Sequence, residues 1–290
     1  MIKYILTNKE WIFSGVGVSA ILIIGGFLFK RLWTWTHPSR EKSVAVQPKT
    51  EAAGIAKRFN QILVLMNENR TSGKHTIASM ALRMNLHSIG ELESVFLGNR
   101  EPSFEFIDHF CSCFGVNKDW LIEGKCGPFS NDAPPCYDPL EYFYEIKNSR
   151  PERIYFIRSS SPAGETFILL KIADWKYKIL RGTWHISDHV GAGGRSQILG
   201  MYKLILAIQN STDLICGGRI LNEGQFNKLV EGKVFPGAII EFHSHENHWW
   251  DDFTDIHNQY PISSDYESQY GKGFTSAQNI VRRKLEESAA

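Results

Sequence analysis

The sequence predicts a multi-domain chain: a single N-terminal transmembrane helix, a small all-α bundle and a C-terminal α+β domain with an antiparallel sheet. Three observations predict it. Residues 11–29, WIFSGVGVSAILIIGGFLF, hold no charged side chain; residues 59–121 place apolar groups at helical spacing; and residues 153–187 alternate aromatic and β-branched stretches with turn chemistry.

The apolar run comes first. A helix rises about 1.5 Å per residue, so about 20 apolar residues cross a hydrocarbon layer of about 30 Å. The run therefore predicts a span over 11–31 inside an N-terminal segment 1–33. Trp11 stands at one end and Trp33 and Trp35 at the other, where indoles favour the headgroup layer. Lys30, Arg31, Arg40 and Lys42 outweigh Lys3 and Lys9, so the positive-inside rule puts the C-terminal side in the cytoplasm. The expected location is the inner (cytoplasmic) membrane, single-pass, with the lipid bilayer as a partner. A cleaved secretory signal fits less well, because basic residues follow the run directly.

Composition bounds the remainder. A formal charge of +1 with 22% charged residues excludes a disordered or strongly basic chain, so any nucleic-acid contact must be local. The five cysteines form no CxxC pair, which suits a reducing compartment.

Residues 34–53 are polar, carry Pro38 and Pro48, and read as a linker; a second linker is expected at 131–139, within a Gly- and Pro-rich stretch. Between them, 54–130 reads as five short helices. Phe59, Ile62, Leu63 and Met66 mark the first; Ile77, Met80, Ala81 and Met84 the second; Ile89, Leu92, Val95 and Phe96 the third. Gly98 stops that helix, Pro102 opens the fourth, Gly115 ends it, and a short fifth surrounds Trp120.

From 140 to 290 the texture changes. RIYFIRSS, ETFILLKI and WKYKILRGTWHIS predict an antiparallel meander, and VFPGAIIEF another strand. GQFNKLVEG and AQNIVRRKLEES predict helices, while QILGMYKLILAIQN fits a core helix or a buried strand equally. VGAGGR (190–195) lacks the Lys-Ser/Thr of a phosphate loop and reads as a glycine-rich turn.

Residues 96–129 carry a more specific pattern. Gly98, Pro102, Phe114, Gly115, Val116, Trp120, Leu121, Gly124, Pro128 and Phe129 match the ending of the Cro/C1-type (XRE-like) helix-turn-helix family, which the chain resembles over about 57–130. The resemblance makes residues 76–84 the bracing helix and 88–97 the reader, which enters a DNA groove about 12 Å wide. It implies double-stranded DNA as a partner, with Lys74, Arg83, Arg100 and Asn99 on phosphates and His87, Ser88 and Glu91 at base edges. Asn85 holds the bend where the family has glycine. The reader itself holds Glu91 and Glu93 and no Lys or Arg, and Lys57–Lys125 balances eight basic against eight acidic side chains.

A second cluster lies at 241–257, EFHSHENHWWDDFTDIH. His243 and His245, two apart at the end of an expected strand, project to one side, and Asp255 completes a candidate zinc site. The set resembles the HxH…D ligands of JAMM-type zinc hydrolases, with Glu246 in place of the proline expected there. The competing expectation is a polar loop in which Trp249 and Trp250 cover a core edge.

The leading functional expectation is a membrane-anchored helix-turn-helix DNA-binding regulator whose C-terminal domain senses a ligand or self-associates. The alternative is a membrane-linked interaction or effector protein whose bundle binds a protein partner or forms a homo-oligomer. The phrase NKEWIFSG is similar to N-terminal anchors of bacterial phage-defence proteins, which supports this alternative. A zinc-dependent hydrolase is the third reading.

Overall fold

Within the unit Thr50–Ala290, a five-stranded sheet separates two helical layers. The computed structural model describes residues 51–131, 133–242, 245–257, 259 and 265–290. The expected span at 11–31 and linker residues 34–50 lie outside them.

The five helices form as their spacing predicts. Helix α1 (Glu51–Met66) buries Ala56, Phe59, Ile62 and Met66 along one stripe. Helix α2 (Ile77–Arg83) starts at Thr76, whose hydroxyl accepts from the Ser79 amide at 3.1 Å. Asn85 takes the left-handed bend at φ 51°, and α3 (Ile89–Phe96) follows from Ser88. Helix α4 (Phe104–Phe114) ends on Gly115, and α5 (Lys118–Glu123) is capped by Asn117, which accepts from the Trp120 amide at 2.8 Å. Side chains then close the helix ends. Arg58 donates to the Leu121 carbonyl at 2.7 Å and to that of Ile122, while Asn60 donates to the Phe96 carbonyl at 2.7 Å.

The chain continues through a 3₁₀ turn at Pro139–Glu141 and helix α6 (Tyr142–Ser149) into the sheet. Strands β1 (Arg153–Ser159), β2 (Glu165–Ala173) and β3 (Lys176–Ile179) form the expected meander, and β4 (Trp184–His185) pairs with β2. Helix α7 (Ala192–Gln209) then crosses to β5 (Cys216–Leu221), which lies parallel to β1. The order is β3-β2-β1-β5, and the sheet is mixed. Helices α8 (Glu223–Val230), α9 (Pro236–Ile240), α10 (Trp249–Thr254), α11 (Tyr266–Tyr270) and α12 (Lys272–Ala289) complete the chain.

The alternation along the strands explains the two layers. Tyr155, Ile157, Phe167 and Leu169 face α1–α5, α8 and α9, while Ile154, Phe156, Ile168 and Leu170 face α6, α7 and α10–α12. Both faces are covered, so β1 and β2 are buried almost throughout.

The predicted fold class is corrected on three points. The bundle and the α+β part are one compact unit, Thr50–Ala290, because the five helices supply the cover for one sheet face and share its core. The expected linker at 131–139 is pinned to the sheet: Asn131 donates to the Ile179 carbonyl at 2.8 Å, and the Cys136 amide to that of Arg181 at 3.3 Å. The sheet is mixed rather than antiparallel, since the 18-residue α7 is a crossover. Among the described residues, no helix is long and apolar enough to cross a membrane.

A strand expected within VFPGAIIEF is also replaced. Pro236 stands at the first position of α9, whose five residues are all buried.

Candidate functional site

The α2–turn–α3 segment presents one face to solvent and one to the core. Met80, Ala81, Met84, Leu92, Val95 and Phe96 are buried, which leaves His87, Ser88, Ile89, Gly90 and Glu93 outside. The fit of apolar residues to helical spacing sets this division.

Of the seven residues expected at DNA, five are placed on the surface: Lys74, His87, Ser88, Asn99 and Arg100. Glu91 is half-buried, and its carboxylate accepts from the Ser88 amide at 3.2 Å, closing the start of α3. Arg83 turns inward. Its guanidinium meets His75 Nδ1 at 2.8 Å and lies 4.2 Å over the Trp175 ring.

His75 is held at the seam between helices and sheet. Its amide donates to Asn67 Oδ1 at 2.7 Å, and its carbonyl accepts from Asn67 Nδ2 at 2.8 Å. Burial and then the nearby Arg70 and Arg83 push its pKa down to about 4, against the pull of Asp174 and Glu241. The ring is therefore neutral, and Nδ1 accepts from Arg83.

Arg70 lies beside Glu241 at 3.5 Å, and the same carboxylate takes Lys171 Nζ at 2.9 Å and the Tyr177 hydroxyl at 2.5 Å. Burial, and then Glu241, raise the Tyr177 pKa, so the hydroxyl remains the donor. This junction was invisible in the sequence, because its members are scattered from 70 to 241. Arg58, Arg70 and Arg83 are thus all engaged inside the molecule. Lys118 and Lys125 pair with Asp108 and Glu123.

The α2–α4 segment also exposes large apolar side chains. Leu82 is 77% exposed, Ile89 51%, Leu97 67% and Phe104 68%. Glu93, Glu101, Glu105, Lys74 and Arg100 are exposed as well.

His243 lies outside the described residues, and His245 is exposed. Asp255 is buried, where it accepts from the Tyr266 hydroxyl at 2.9 Å and the Gln259 amide at 2.8 Å. Trp249 is fully buried and donates to the Phe156 carbonyl at 3.1 Å, and Trp250 stacks on Phe156. Among the described residues, no three His, Cys, Asp or Glu side chains are grouped to hold a metal. All five cysteines are free thiols, and burial pushes Cys111 up to about 12.

A cleft of about 640 Å³ opens where Cys126–Asn131, β2 and α8 meet, with Phe167, Ile179 and Val230 in its apolar lining and Asn131, Thr183 and Lys233 among its polar groups. Sequence periodicity offers no signal for it, since its walls come from separate elements. Comparison with known proteins finds no matching family model, no matching curated protein and no matching solved structure.

Proposed function

We propose that the chain is an interaction protein that assembles with copies of itself through the α2–α3 face, in preference to reading duplex DNA. The observation that carries this reading is the chemistry of that face. Leu82, Ile89, Leu97 and Phe104 are exposed on adjoining elements, and α3 holds Glu91 and Glu93 without a cation. Burying a Leu-sized side chain is worth about 1.5–3 kcal/mol, so four of them supply a hot spot.

Duplex DNA has less to hold. Of the cations in Lys57–Lys125, Lys57, Lys74 and Arg100 are exposed and without a salt bridge among the described residues. About three phosphate contacts give a salt slope near −3, far from the six to ten that support tight binding. The segment exposes both signs of charge, Lys74 and Arg100 with Glu93 and Glu101, so a two-fold-related copy can match opposite charges.

Sedimentation velocity on the full chain tests this reading. The expected result is concentration-dependent association that Ile89→Asp with Leu97→Asp abolishes while the circular dichroism spectrum is retained. Association that survives the double substitution overturns it, as does duplex binding at low salt that is lost in Lys74→Ala with Arg100→Ala.

A further inference from the structure

A pocket of about 420 Å³ lies between the start of α7 and the outer side of α12. Arg195 reaches it from the first turn of α7, and Arg283 and Lys284 from α12. The two helices pack on each other, so the cations stand on braced elements.

The polar groups around the pocket sort by what they have left to offer. Lys284 Nζ pairs with Glu287 at 2.9 Å, which neutralises one cation and one carboxylate. Asn279 Oδ1 accepts from Arg282 at 3.1 Å, and Arg282 is tied in turn to the Ile256 carbonyl at 3.1 Å, so the Asn279 amide nitrogen remains a donor. Neither Arg195 nor Arg283 is salt-bridged among the described residues. With the Ser276 hydroxyl, the uncommitted groups are therefore two guanidiniums, an amide NH₂ and an OH. Two carboxylates stand with them: Glu287, which Lys284 pairs and Arg283 also attracts, and Asp188, which lies 3.9 Å from His189 Nε2.

Two guanidiniums beside neutral donors suit a tetrahedral oxyanion, which arginine forks bind with paired charge-assisted hydrogen bonds. A carboxylate at the same pocket suits a hydroxyl donor and repels a second anionic group. The volume lies within the range of small-molecule sites. We propose that this pocket binds a small molecule of the sugar-phosphate class, its phosphate on Arg195 and Arg283 and a sugar hydroxyl on Asp188.

Calorimetric titration of the full chain with ribose 5-phosphate, ribose and inorganic phosphate tests the assignment. Ribose 5-phosphate should bind saturably and tighter than inorganic phosphate, and ribose should not bind. Arg195→Ala and Arg283→Ala should each weaken ribose 5-phosphate by about tenfold or more, as loss of a charge-assisted bond does. Asp188→Asn should weaken ribose 5-phosphate and leave inorganic phosphate binding as tightly or more tightly, because its carboxylate repels anions. Both arginines are exposed, so the folded state survives these changes. Absence of saturable ribose 5-phosphate binding by about 10 mM overturns the proposal, that range lying at the weak limit of specific association. Equal binding by the double arginine variant overturns it too, and an unaltered Asp188→Asn titration overturns the sugar contact.

Discussion

The Arg83 guanidinium lies 4.2 Å above the Trp175 ring, with its Nη1 2.8 Å from His75 Nδ1. One side chain thereby joins α2 to the turn between β2 and β3. A cation expected to face phosphate instead fastens the helices to the sheet. Arg83→Ala removes the stacking, worth about 0.5–2 kcal/mol, and leaves a buried ring nitrogen without its donor, at about 1–3 kcal/mol. Urea unfolding should show a loss of about 2 kcal/mol or more. A double-mutant cycle with Trp175→Ala should show coupling, because the two side chains share one contact.

Acid should act through the same seam. The His75 pKa falls from an ordinary 6.5 to about 4 in the folded chain, from burial first and then Arg70 and Arg83. A depressed histidine favours the neutral form, so below 6.5 the unfolded chain takes up a proton that the folded chain refuses. This contribution is fully present above pH 6.5 and is lost progressively as pH falls towards 4, by at most about 3 kcal/mol. Urea midpoints measured from pH 7.5 to 4 should fall across that window, and His75→Gln should flatten the fall. An unchanged pH profile in His75→Gln would assign the acid response to other groups.

Gly115 tests how closely α4 approaches the sheet. Its φ is 65°, and a Cβ there would lie 2.6 Å from the Tyr177 carbonyl oxygen. Gly73 shares a positive φ of 60° but has nothing within 4 Å of such a Cβ. Gly73→Ala should therefore cost about 1 kcal/mol from backbone strain alone, whereas Gly115→Ala should cost clearly more, because β3 must also move. Thermal unfolding of the two variants side by side separates strain from collision. Equal losses would show that the α4–β3 contact yields freely.

The helices between 51 and 123 were legible because Phe59, Ile62 and Met66, like Ile107, Phe110 and Phe114, repeat at helical spacing. Strands β1 and β2 were legible from their β-branched and aromatic residues. Their cover was not, because strands buried on both faces read the same whichever helices lie upon them. Strand β5 escaped notice since it opens with Cys216, Gly217 and Gly218, which carry little strand propensity. A Cβ at Gly218 would fall 2.6 Å from Trp250 Cδ1, so glycine there admits the tryptophan segment against the sheet. In the candidate site, His87, Ser88 and Arg100 were singled out through the helix-turn-helix resemblance, and all three are exposed. The inward turn of Arg83 did not, because its partner Trp175 comes from a distant segment.

Asp255 separates a ligand from a structural acceptor. Its carboxylate takes the Tyr266 hydroxyl at 2.9 Å and the Gln259 amide at 2.8 Å in a buried site. A carboxylate so occupied organises the approach to α11, and losing it strands a buried hydroxyl at about 1–3 kcal/mol. Asp255→Ala should lower the unfolding free energy by about that amount, and Tyr266→Phe, which removes the donor instead, should cost less. The zinc content of the purified full chain should be the same for wild type, His245→Ala and Asp255→Ala. Stoichiometric zinc in the wild type that falls in both variants would restore Asp255 as a ligand and make its hydrogen bonds those of a metal-free state.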